Sequence, residues 1–84
     1  MTIREQYSSI PVLNRFGVGS YTYKLVIDTG VDVFKYELFA NSAEGAMYLI
    51  TTNIGVVVNM CFVGTDIMTV RLENYYNATC YLYI

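Results

Sequence analysis

The 84-residue chain has no histidine, one proline, two cysteines, and only five basic and seven acidic side chains. Without histidine, Ser–His and Cys–His nucleophile pairs are excluded. Two cysteines unaided by histidine are too few for an ordinary zinc site, and no cofactor is implied. The cations Arg4, Arg15, Lys24, Lys35 and Arg71 are scattered. Phosphate affinity needs clustered positive charge, so direct nucleic-acid binding is not expected. The net charge of −2 is too small and dispersed for a nucleic-acid mimic. The longest apolar run, residues 56–63, is broken by Asn59 and has the length of a strand, not of a membrane span. Residues 1–17 lack the apolar core of a signal peptide, which leads to the expectation of a cytoplasmic protein with Cys61 and Cys80 reduced.

What is abundant is apolar surface. Hydrophobic residues make up 55% of the chain and charged residues 14%, against roughly 25% charged in an average domain. A single small domain of this composition is expected to cover part of its surface with a partner or a second copy.

Residues 1–17 are polar and irregular and read as an N-terminal arm, with Ile3, Tyr7 and Ile10 able to dock on a body spanning 18–84. From Val18 the hydrophobic period is two. Tyr21, Tyr23, Leu25 and Ile27 share one face, and Phe34, Tyr36, Leu38 and Ala40 share another after a turn at residues 28–32. Gly30 supplies the positive φ there, and Asp28 or Asp32 caps the turn. In NSAEGAMYLITTN the period changes. Ser42 sits at an N-cap, Glu44 lies in the first turn, and Ala43, Ala46, Met47 and Ile50 form one stripe. Asn53 and Gly55 end the helix. Three strands follow. Val56, Val58, Met60 and Phe62 alternate with Val57, Asn59, Cys61 and Val63. Met68, Val70 and Leu72 alternate with Thr69, Arg71 and Glu73. Cys80, Leu82 and Ile84 alternate with Thr79, Tyr81 and Tyr83. The expected fold is α+β, a two-layer sandwich of one short helix on a mainly antiparallel five-stranded sheet in the order β-β-α-β-β-β. The helix should meet Leu25, Tyr36, Leu38, Val58, Met60, Val70, Leu72 and Leu82.

Asp28-Thr29-Gly30 resembles the catalytic strand end of aspartic proteases, and Val31-Asp32 extends it toward the retroviral form. Those enzymes pair two carboxylates that share a proton, which a short chain supplies only as a dimer. They also need a glycine-rich flap and a later apolar-apolar-glycine loop. Here the interval after Gly30 holds a return strand and a capped helix. Phe62-Val63-Gly64 comes too soon for that loop and lacks the Arg or Asn that follows it. The tripeptide is read as a hairpin turn and the protein as no enzyme, with a dimeric aspartic protease as an alternative. Gly17-Val18-Gly19 precedes a strand without a following helix and is not a phosphate loop.

Nine tyrosines are the strongest compositional signal. Tyr75 and Tyr76 fall in a turn, while Tyr81 and Tyr83 alternate against Leu82 and Ile84. With the helix on the Leu82 side, these four rings and Arg71 make a candidate binding surface. The last strand also lacks charge, proline and glycine. If it is an edge, it is an unguarded one, suited to pairing with a partner strand or to forming a homodimer.

The order of hairpin, helix start and strands resembles small accessory proteins of phages and mobile elements, the anti-CRISPR proteins among them. Ala40, Ser42, Ala43, Glu44 and Ala46 carry the likeness. The resemblance implies a non-catalytic inhibitor that binds a host protein complex in the host cytoplasm. The competing expectation is a structural subunit of a larger viral assembly.

Overall fold

A computed structural model describes residues 2–84. Its element order is α1 (Ile3–Gln6), β1 (Asn14–Gly17), β2 (Tyr21–Asp28), β3 (Val33–Ala40), α2 (Ala43–Asn53), β4 (Val57–Phe62), β5 (Ile67–Leu72) and β6 (Thr79–Tyr83), with a 3-10 turn at Glu73–Tyr75. The fold is α+β, with one principal helix on one mostly antiparallel sheet. The sheet has six strands rather than five, in the spatial order β1-β3-β2-β6-β5-β4. The additional strand is β1, drawn from the expected arm, and it pairs in parallel with β3.

Both local expectations around the helix hold. The Ser42 hydroxyl accepts a hydrogen bond from the Gly45 N–H at 3.2 Å, and α2 runs from Ala43 to Asn53. Ala46 and Ile50 are fully buried on its inner stripe. Helix α2 connects β3 to β4, which run the same way because the antiparallel pairings β3–β2–β6–β5–β4 reverse direction an even number of times. The helix therefore crosses the sheet and packs mainly on β3. Beneath it lies the core, including Leu25, Ile27, Leu38, Val70, Leu72, Cys80 and Leu82.

At residues 28–32 the expected turn is present. Gly30 has φ +88°. The Asp28 Oδ1 accepts the Gly30 N–H at 2.9 Å, and the Thr29 Oγ1 accepts the Asp32 N–H at 3.0 Å. The other Asp28 oxygen accepts the Tyr7 hydroxyl at 3.0 Å. Both carboxylate oxygens of the protease-like tripeptide are thus engaged in holding local structure.

Strand β4 departs from simple alternation. A register shift between Val57 and Asn59 places Val57 opposite Leu72 and Met60 opposite Val70. The extra residue of this bulge is Val58, which is 49% exposed, while Val57 packs on the core. The expected assignment of these two valines is therefore reversed, because a bulge adds one residue and flips the faces beyond it.

The back of the sheet is also covered, which a two-layer reading does not contain. Residues 3–10 fold across it and form a second cluster in which Tyr7, Val26 and Tyr83 are buried and Ile3, Ile10, Val33, Ile67 and Tyr81 pack alongside. The Arg4 guanidinium pairs with Asp66, donates through Nε to the Ile84 carbonyl, and lies 5.6 Å from the Tyr83 ring centroid. Lys35, buried on the same face, donates from Nζ to the Tyr7 carbonyl at 3.3 Å.

This burial has a pH signature. Burial, then the hydrogen bond to Asp28 and that carboxylate's negative charge, push the Tyr7 phenol up to about 12. Burial pushes the Cys80 thiol up to about 11 and raises Tyr36 and Tyr83. Each group holds its proton more tightly folded than unfolded. On raising the pH, the unfolded chain ionises first, so this stability is intact below about pH 8.5 and is lost progressively toward about pH 12. Urea midpoints measured across that window should fall steadily, and Tyr7→Phe should flatten part of the fall. A midpoint that does not move with pH contradicts the burial of these groups.

Candidate interaction surface

The sheet has two edges, and they are built differently. Strand β1 has four residues, carries Arg15 and ends at Gly17 with φ +88°. The Arg15 guanidinium is bonded to Glu37 at 2.6 Å. A short, charged strand is a guarded edge. Strand β4 has six residues, VVNMCF, with no charge, proline or glycine. No charged residue lies between Glu44 and Asp66. The unguarded edge of this protein is therefore β4.

The outward backbone groups of β4 follow from its pairing. The Val63 N–H donates to the Ile67 carbonyl at 3.1 Å. Antiparallel ladders alternate, so Val63, Cys61 and Asn59 bond inward to β5, while Met60 and Phe62 turn their N–H and C=O groups outward. Two side chains partly shield them. Asn59 Oδ1 accepts the Met60 N–H at 2.8 Å, and the Cys61 thiol donates to the Phe62 carbonyl at 3.6 Å. The Met60 carbonyl and the Phe62 N–H remain without a side-chain partner among the described residues.

An apolar groove runs beside this edge on the helix face. It is lined by Ala43, Glu44, Met47, Met60, Phe62 and Met68. A second depression shares Ala43, Phe62 and Met68 and continues to Ile84. Met60 is 52% and Phe62 65% exposed. The groove exists because one helix, leaning on β3, cannot roof a six-stranded sheet. Three of the chain's four methionines line it. Methionine is flexible and polarisable and suits contact surfaces that must fit a partner's shape.

The tyrosine surface expected from the sequence is not assembled. Tyr83 is 3% exposed and Tyr81 half-buried, both under the N-terminal segment, with the Tyr7 and Tyr81 ring centroids 6.2 Å apart. Tyr75 packs against the core, 6.4 Å from the Phe34 ring. Only Tyr76 and Arg71 stay exposed, and they contact each other, with the guanidinium 5.1 Å from the ring centroid. The last strand, β6, lies between β2 and β5. It offers no free edge, so a homodimer through the C-terminal strand is excluded by the topology. The reason is the long-range β2–β6 pairing, which sets Leu25 against Leu82 and Ile27 against Cys80 on the core face. The residues that were missed are Met60 and Phe62. Their signal was in the charge-free run VVVNMCFV, but only the strand order shows that this run is an edge.

Among the described residues, no group of three or more Cys, Asp or Glu side chains is placed to hold a metal ion. No helix of the described residues is long and apolar enough to cross a membrane. No family model, curated protein or solved structure matches the chain.

Proposed function

We propose that this protein is a small, non-catalytic protein-binding module whose working surface is the β4 edge with the adjoining methionine-lined groove. The observation that supports this best is the coincidence of two features. Outward backbone groups at Met60 and Phe62 lie along an edge with no charge, and exposed apolar side chains stand directly beside them. An added strand takes its affinity from main-chain hydrogen bonds and its specificity from alternate side chains entering such a groove. In the reading suggested by the resemblance to anti-CRISPR-type accessory proteins, the module inhibits a host protein complex. The second reading, a subunit of a larger viral assembly, uses the same edge to join copies.

Affinity capture from a bacterial lysate, comparing the natural chain with Phe62→Lys, tests the proposal. Phe62 is exposed, so the variant should melt within a few degrees of the natural chain. It should lose whatever partner the natural chain retains, because a lysine places an unpaired charge in an apolar contact. Equal capture by both proteins removes β4 from the function. One co-purifying complex favours the inhibitor, and ordered particles of this chain favour the assembly subunit. Peptide cleavage that disappears in Asp28→Asn would overturn the non-catalytic reading.

A further inference from the structure

We propose that two copies of this chain pair antiparallel through β4, about a two-fold axis passing beside Cys61, to form one continuous sheet. The inference rests on reading β4 as the binding edge and names its occupant.

The register follows from the strand itself. The bulge at Val58 ends regular pairing on one side, and the turn after Val63 ends it on the other. The regular stretch is thus residues 59–63, and its centre is Cys61. Only with Cys61 opposite Cys61 does the whole stretch of one copy face the whole stretch of the other. Met60 then lies opposite Phe62 of the second copy, and Phe62 opposite its Met60. These are the residues whose backbone groups point outward, so each pair exchanges both of its N–H···O bonds. The local shielding bonds from Asn59 and Cys61 are replaced by ladder bonds.

The side chains agree with that register. On the helix face, methionine meets phenylalanine twice, a contact in which sulfur packs well against an aromatic ring. A two-fold axis perpendicular to the sheet keeps both grooves on the same face and makes them adjoin. On the back, Asn59 meets Val63 and thiol meets thiol. Strand β4 itself carries no ionised group; Glu44 lines each groove beside it, and a net charge of −2 per copy opposes association only weakly. The other edge, β1, is short and carries Arg15, so it does not compete. A standard interface takes about 800 Å² from each partner, which is roughly one-sixth of the 5093 Å² surface of this chain. A five-residue ladder with its groove is smaller than that, so the dimer is a concentration-dependent one.

Sedimentation of the purified full chain across the micromolar range, combined with mild oxidation by diamide, tests the proposal. On the outer side of β4, Cys61 is a non-hydrogen-bonded pair, with Cα atoms about 4.5 Å apart, inside the range that a disulfide spans. Two Cys61 thiols should give up two electrons and two protons to diamide and form a covalent dimer. Cys80 is buried and should not compete. Three results are expected: reversible dimerisation, a cross-link abolished by Cys61→Ser although that variant still dimerises, and a dimer weakened at least about tenfold by Phe62→Lys with an unchanged melt. A chain that stays monomeric overturns the second copy as occupant. If Phe62→Lys still abolishes capture of a partner in that case, the binding-edge reading stands; if it does not, both fail. A dimer that never cross-links through Cys61, or that Phe62→Lys leaves intact, overturns the proposed register and edge.

Discussion

Replacing Tyr83 with alanine should cost about 3–5 kcal/mol of folding stability, the range for truncating a large buried ring. Tyr83 is 3% exposed and belongs to the buried cluster of Tyr7 and Val26 beneath the N-terminal segment. Truncation removes a ring from a closed cluster and leaves the Arg4 guanidinium without its face. A domain of this size has only about 5–15 kcal/mol in total, so the variant should unfold at a much lower urea concentration. Tyr76→Ala is the control. Tyr76 is 64% exposed and touches Arg71 across solvent, so its loss should cost well under about 1 kcal/mol. Equal effects of the two substitutions would show that the N-terminal segment does not cover the back of the sheet.

Alanine at Gly17 or Gly19 should each cost about 2–3 kcal/mol, the scale of forced overpacking. Gly17 has φ +88°, and a Cβ there would run into the Phe39 carbonyl oxygen and come within 2.6 Å of the Leu49 side chain. At Gly19 the added atom would overlap the backbone of Ala40. The Gly19 N–H already bonds the Phe39 carbonyl at 2.9 Å, so the connection between β1 and β2 lies flat on the end of β3. Backbone cannot move aside as a side chain does. Gly30→Ala is the comparison. It shares the φ of +88° but has nothing within 4 Å, so it should suffer the torsional penalty alone. Thermal melts of the three variants separate crowding from torsion, and a Gly19→Ala variant as stable as the natural chain would contradict the close approach. The Gly-x-Gly run, which the sequence already separates from a phosphate loop, is a packing requirement here.

Much of the local structure was legible because its causes are local. Ser42 caps α2 through a hydrogen bond three residues away, and the period-two runs on either side of Gly30 close into a hairpin. Residues 1–17 were harder. Their docking energy comes from contacts far along the chain, such as Tyr7 with Asp28 and Arg4 with Asp66, and no periodicity in the segment records those partners.

The sequence alone determined the α+β class, the capped helix and the turn at Asp28, since each depends on neighbours within a few residues; the lack of histidine is read from composition. Only the tertiary structure decided which strand is the edge. Alternation of apolar residues states that a strand has a buried face, but not which strand lies beside it. Pairing β6 with both β2 and β5 buries Cys80, Leu82 and Tyr83 at once. That gain carries the last strand into the middle of the sheet, buries Tyr83 and half-buries Tyr81, and leaves the uncharged β4, with Met60 and Phe62, at the rim.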